Sequence, residues 1–217
     1  MNQENSPNND LKAKFKQKRL DAMPEIGKSI SDFCTDNEIK NIIFLDRSAR
    51  PAYQVFKEQW KKEYGTQQRP NIYFLSPKML EETGVSDEEV ELFKKEHPYL
   101  SKSKEPTLVF DVCIKSGMTL HNVKDLLDKS GFEKTYTMVT AAHKEQKQYF
   151  NPDKILYEDH NLGCHLFGAF FNKEVGIQRN NQSLLGQVDR TQTQSVRQNR
   201  NEMKYASQKV FNRTPNE

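Results

Sequence analysis

Short apolar runs alternating with helical patterns predict an α/β domain built on a parallel sheet. Two observations carry this expectation. Five runs, at residues 41–45, 71–75, 107–110, 135–140 and 154–157, are apolar and of strand length. Helical spacing recurs between them, and strands joined through helices make right-handed crossovers and pair in parallel.

The elements follow in order. Residues 1–9 read as disordered, and Asp10 to Ala22 reads as a basic helix. Pro24 suits the first turn of a second helix running to about Phe33, with Ile26, Ile30 and Phe33 on one face. NIIFL (41–45) is the first strand. The loop Asp46–Arg50 follows, and Pro51 opens a helix that sets Ala52, Tyr53, Phe56 and Trp60 on one side. NIYFL (71–75) is the second strand. Residues 76–106 form a polar insert, in which Ser86 and Glu89 have the spacing of a capping box. TLVF (107–110) is the third strand and runs into DVCIKSGMT. A helix over about Leu120–Lys129 turns Leu120, Val123, Leu126 and Leu127 inward, and Gly131 ends it in the left-handed position. TYTMVT (135–140) and KILY (154–157) complete the strands.

The 217 residues suit one such domain with appendages, because a mean hydropathy of −0.91 is too polar for a chain that is core throughout. No apolar run approaches the length of a membrane span, and the N-terminus lacks the apolar stretch of a secretory signal. Three widely spaced cysteines, Cys34, Cys113 and Cys164, argue against a disulfide framework and for a reducing, cytoplasmic setting. The net charge of +3 is unevenly placed: residues 176–217 hold seven Lys/Arg against three Asp/Glu, so the rest is close to neutral. That stretch is rich in Asn and Gln, and Val196, Met203 and Val210 recur every seven residues, as on one exposed helix. A second basic cluster spans residues 11–20. Each is read either as a solvated face or as a surface for the phosphates of nucleic acid or of lipid heads, and the tail as a surface for a nucleic-acid or protein partner. The chain thus divides into a polar, basic segment 1–24, an α/β domain 25–172 and a polar, basic, helical extension 173–217.

Ligands of parallel sheets bind beyond the carboxyl ends of the strands. Two loops fall there. In Asp111–Thr119 a strand delivers an acid, and Ser116-Gly117-Met118-Thr119 precedes a helix. Free backbone N–H groups and hydroxyls at such a turn suit a phosphate, with Asp111 placed for ribose hydroxyls. The competing reading is a plain strand-to-helix turn with a capping hydroxyl and a solvated acid. In Asp46–Arg50, Arg47 and Arg50 flank Ser48 at a helix start. Arginine forks suit bidentate phosphate contact, and the alternative is that both point into solvent.

LVFDVCIKSGMTL (108–120) resembles the phosphoribosyl-pyrophosphate (PRPP) motif of the type I phosphoribosyltransferases, and NIIFLDRSARPAYQVF resembles that family's first strand, pyrophosphate loop and following helix. The resemblance covers roughly residues 35–170 and implies a phosphoribosyltransferase-like, Rossmann-like domain with helical N- and C-terminal extensions. It implies binding of PRPP or a phosphorylated nucleoside, transfer of the phosphoribosyl group to an acceptor base in nucleotide metabolism, and Mg²⁺ as cofactor; the sequence leaves the oligomeric state open, a homodimer among the options. By this likeness Asp111 contacts the ribose hydroxyls and the metal, while Ser116, Gly117, Met118 and Thr119 form the 5′-phosphate loop. Arg47, Ser48 and Arg50 fall on the pyrophosphate loop, and the insert 76–106 falls where the family carries a flexible loop over its site. Two positions depart from the pattern: the second acid is Val112 and the acid before the phosphate loop is Lys115. Lys115 takes the catalytic position as an auxiliary phosphate ligand rather than a base. These losses favour phosphate binding over transfer, so a catalytically inactive binding or regulatory module with a basic tail is the alternative.

Other groups carry less. His160, Cys164 and His165 supply too few local ligands for zinc, and Asp159 is a carboxylate the sequence does not place. Cys113 reads as a small packed residue or an oxidation-sensitive thiol.

Overall fold

A computed structural model describes residues 7–46, 48–65, 68–77, 80, 84–114, 116–142, 150–157, 201 and 208, with side chains from residue 22 onward. The order is α1 (Pro7–Asp36), β1 (Asn41–Leu45), α2 (Arg50–Tyr64), β2 (Asn71–Leu75), α3 (Asp87–Glu96), α4 (Pro98–Ser101), β3 (Thr107–Ile114), α5 (Met118–Lys129), β4 (Thr135–Ala142) and β5 (Lys154–Tyr157). All pairings in the five-stranded sheet are parallel, in the order β2-β1-β3-β4-β5.

That order explains the sequence pattern. β1 lies between β2 and β3 and is buried along its whole length, so it reads as an unbroken apolar run. Its alternate residues serve two cores. Ile42 and Phe44 join Ile26, Ile30, Phe56 and Phe110 under α1 and α2. Ile43 and Leu45 join Phe93, Leu120, Val123 and Leu126 under α3 and α5. Each fully buried side chain of this size contributes about 1.5–3 kcal/mol, so covering both faces holds the sheet together.

The structure corrects three expectations. The N-terminal region is one helix that runs through Pro24, not two helices meeting there. Proline removes one helical hydrogen bond, and packing of Met23, Ile26 and Ile30 into the core offsets that loss. β3 and β4 run further than their apolar runs, so Asp111 lies inside a strand, level with Val139, rather than in a loop. The described part of the insert is packed rather than free. Its crossover carries the chain from edge strand β2 past β1 to β3, and Phe93 and Leu100 seal the sheet face on the way. The capping box forms as expected: the Ser86 hydroxyl accepts from the Glu89 N–H, and the Ser86 N–H donates to the Glu89 carboxylate. Buried Asn122 of α5 donates to the Leu80 carbonyl, and Lys129 donates to the Val85 carbonyl at 2.8 Å, tying the insert to α5.

Among the described residues no helix is long and apolar enough to cross a membrane. Of the C-terminal extension only Asn201 and Gln208, both helical, are described; Val196, Met203 and Val210 lie outside the described residues.

Candidate functional site

The chain leaves β1 for β2 by way of α2 on one face, and leaves β3 for β4 by way of α5 on the other. The carboxyl ends of β1 and β3 are therefore where the winding reverses, the place at which open parallel sheets bind ligands. The loop after β1 and the turn after β3 both rise there.

Asp111 and Ser48 meet across this point. The Ser48 hydroxyl donates to Asp111 Oδ1 at 2.9 Å, and the Val112 N–H donates to the same oxygen at 2.7 Å. Oδ2 accepts no hydrogen bond among the described residues. Asp111 keeps some accessible surface, yet protein surrounds its carboxyl closely. Desolvation is the larger influence and pushes its pKa up to about 6, against the opposing pull of the Ser48 and Val112 hydrogen bonds. Ser48→Ala removes one of those charge-assisted bonds. It is expected to raise the Asp111 pKa further and to lower stability by about 1–2 kcal/mol at pH 8. The loss shrinks below pH 5, where the carboxyl is neutral, and urea unfolding at the two pH values measures the difference.

The turn after β3 is shaped by Gly117. Its φ of +81° lies in the left-handed region, and a Cβ placed there would stand 2.9 Å from the Phe150 Cβ. Both demands exclude other residues. Gly117 is the N-cap of α5 and offers no side chain, so the first-turn N–H groups are left for other acceptors. Met118 N–H donates weakly to the Ser116 hydroxyl at 3.4 Å, Met118 is exposed, and Thr119 sits in the first turn. A helix start with free donors and a neighbouring carboxylate suits a phosphate carried on a hydroxylated sugar.

Arg50 is differently placed from the sequence expectation. Its Nε and Nη2 both reach the Asp46 carboxylate at 2.6 Å, and its guanidinium stacks 4.2 Å from the Phe74 ring centroid. The fork is already taken, so a ligand phosphate would have to compete with a part-buried, bidentate partner. Sequence reasoning missed Asp46, although its i,i+4 spacing to Arg50 at a helix start was a usable signal. Val112 is fully buried in the core between the sheet and α1 and α2. Arg47 and Lys115 lie outside the described residues, as do Asp159, His160, Cys164 and His165. Cys113 is disulfide-bonded, which corrects its reading as an apolar filler or free thiol and the expectation of unpaired cysteines. Cys34 is free and buried, and desolvation pushes its thiol well above the ordinary range.

Among the described residues no three His, Cys, Asp or Glu side chains gather to hold a metal. A Mg²⁺ ion held by protein ligands alone does not fit these residues. An ion brought on a ligand's phosphates does, since Mg²⁺ commonly takes one carboxylate beside phosphates and water, and Asp111 has one oxygen to give.

Sheet order and crossovers define an open, all-parallel α/β domain with its candidate site at the switch point. Solved structures with a similar fold are hypoxanthine phosphoribosyltransferases. The enzyme of Trypanosoma cruzi is 10% identical, with a TM-score of 0.47, covering 65% of this chain and 77% of that one. The hypoxanthine-guanine enzyme of Bacillus anthracis is 14% identical, with a TM-score of 0.43, covering 64% and 76%. That of Schistosoma mansoni, solved with IMP, is 10% identical, with a TM-score of 0.43, covering 64% and 62%. No protein-family model matches the sequence, and no curated protein matches it.

Proposed function

We propose that this chain binds PRPP, or a closely related ribose phosphate, at the carboxyl ends of β1 and β3. The observation that carries the proposal is the Asp111 carboxylate, held by Ser48 across the switch point, with α5 starting uncapped by any side chain just beyond the end of the same strand. Asp111 accepts the ribose hydroxyls. The N–H groups of the first turn of α5, with Ser116 and Thr119, take the 5′-phosphate. Mg²⁺, when it arrives with the ligand, supplies charge neutralisation of the pyrophosphate, and Asp111 is the residue to hold it.

Binding is better supported than phosphoribosyl transfer. Transfer asks for a pyrophosphate clamp and a second carboxylate, but Arg50 is paired with Asp46 and Val112 is core. These two observations favour a ligand-binding or regulatory module as the second reading, with the basic tail as its partner surface. Calorimetric titration of PRPP into the full chain, with and without Mg²⁺, tests the site. Saturable binding that strengthens with Mg²⁺ and is lost in Thr119→Ala is the expected result. No heat and no thermal shift at millimolar PRPP overturns the proposal. An acceptor-base screen on the binding-competent protein then separates transferase from module.

A further inference from the structure

A cavity lies at the end of the sheet opposite the switch point. It has a volume of about 350 Å³ and sits where α1 and α2 end and where β1 and β2 begin. Small-molecule sites commonly span about 300–1,000 Å³, with aromatic walls and a few converging polar groups. This one has both. Trp60 and Tyr64, one helical turn apart on α2, stand with ring centroids 4.5 Å apart along one wall. The Tyr64 hydroxyl is anchored by the Thr35 hydroxyl at 3.2 Å, which fixes the ring at the cavity rim. Lys40, Arg69 and Asn71 line the other side.

The charge of the lining is informative. It holds two cations, Lys40 and Arg69, against one carboxylate, Glu38. Neither cation makes an ion pair among the described residues, although seven other ion pairs form there. Arg69 lies 5.9 Å from the ring centroid of Tyr53, an α2 residue outside the cavity lining, and is half-buried. Glu38 is the one described non-glycine residue at positive φ, +52°, and its left-handed turn ends α1 and carries the chain into Lys40. This turn terminates the helix, with the Glu38 N–H donating to the Thr35 carbonyl at 3.3 Å and the Ile39 N–H to the Cys34 carbonyl at 2.8 Å.

We infer that this cavity is a binding site for a planar aromatic anion of one or two rings. The ring stacks on the Trp60–Tyr64 wall, and its anionic group pairs with Lys40 and Arg69. This site is independent of the ribose-phosphate reading, because it uses no residue of the switch point.

The chain has a single tryptophan, so Trp60 reports on this cavity alone. Full-length protein labelled with 5-fluorotryptophan gives one ¹⁹F resonance. Titration with 2-naphthoate is expected to move it saturably. The uncharged 2-naphthamide is expected to bind at least tenfold more weakly. Lys40→Gln with Arg69→Gln is expected to weaken 2-naphthoate at least tenfold while leaving PRPP titrations unchanged. Lys40 is exposed and Arg69 half-buried, neither in the hydrophobic core, so the double variant is expected to keep the fold, with circular dichroism as the check. No shift up to 10 mM 2-naphthoate, equal binding of the amide, or full affinity in the double variant each overturns the inference.

Discussion

Asp111→Asn is expected to abolish ribose-phosphate binding and, at the same time, to make the folded chain more stable at pH 8. The two effects share one cause. Desolvation lifts the Asp111 pKa from 3.8 to about 6, so the folded chain holds this proton more tightly than the unfolded chain does. Stability from the group is therefore fully present below about pH 3.8 and is lost as pH rises through about 6. Above that, the fold carries a poorly solvated carboxylate, costing on the order of 2 kcal/mol once its accessible portion is allowed for. Asparagine keeps the shape and still accepts from Ser48 and Val112 without the charge. A gain of about 1–2 kcal/mol in urea unfolding at pH 8, fading near pH 4, is the expected result. PRPP affinity is expected to fall at least a hundredfold. In the parent chain binding should strengthen as pH rises through about 6, because the ionised carboxylate is the better acceptor for ribose hydroxyls. The ligand's phosphates also titrate there, so the Asp111-dependent part is the slope that vanishes in Asp111→Asn. Unchanged affinity in that variant removes Asp111 from the site.

A residue that weakens its own fold is one that sequence patterning reads poorly, and this accounts for much of what was and was not legible. The ranges of β1, β2 and β5 were readable because each is an apolar run bounded by polar residues. The end of β3 was not, because Asp111 interrupts the apolar pattern while its backbone stays paired with β4. Pro24 gave a false helix boundary, since tertiary packing of Ile26 and Ile30 outweighs one lost hydrogen bond. In the candidate site, Asp111, Ser48 and Gly117 stood out by type and spacing. What spacing does not carry is which polar groups satisfy one another. Arg50 looked like a free phosphate fork and is held by Asp46, and Ser48 looked like a ligand contact and is also the partner of Asp111. The disulfide at Cys113 was hidden by an odd cysteine count.

Restoring the acid that the PRPP motif carries at residue 112 is expected to destabilise the chain strongly. The resemblance invites Val112→Asp as a repair, since the motif it follows carries acids at both positions matching 111 and 112. Successive residues of a strand point to opposite faces. Asp111 keeps access to the carboxyl end of the sheet, but Val112 is sealed with Phe44, Phe110 and Met138 under α1 and α2. A carboxylate there would lack a partner and would neutralise rather than stay charged, raising its pKa by several units. At pH 7 that corresponds to a loss of about 4 kcal/mol. Urea unfolding should show the loss shrinking towards pH 4.5 as the introduced carboxyl protonates. Val112→Ala, expected to cost about 1–2 kcal/mol with no such pH dependence, separates lost volume from buried charge. If Val112→Asp is instead stable and ionised at pH 7, the end of β3 opens towards the site, and the missing acid was lost from a catalytic position. If it behaves as expected, the valine is core by necessity. A second carboxylate for transfer chemistry would then have to come from another element, and Asp111 would be the one acid that β3 brings to the proposed site.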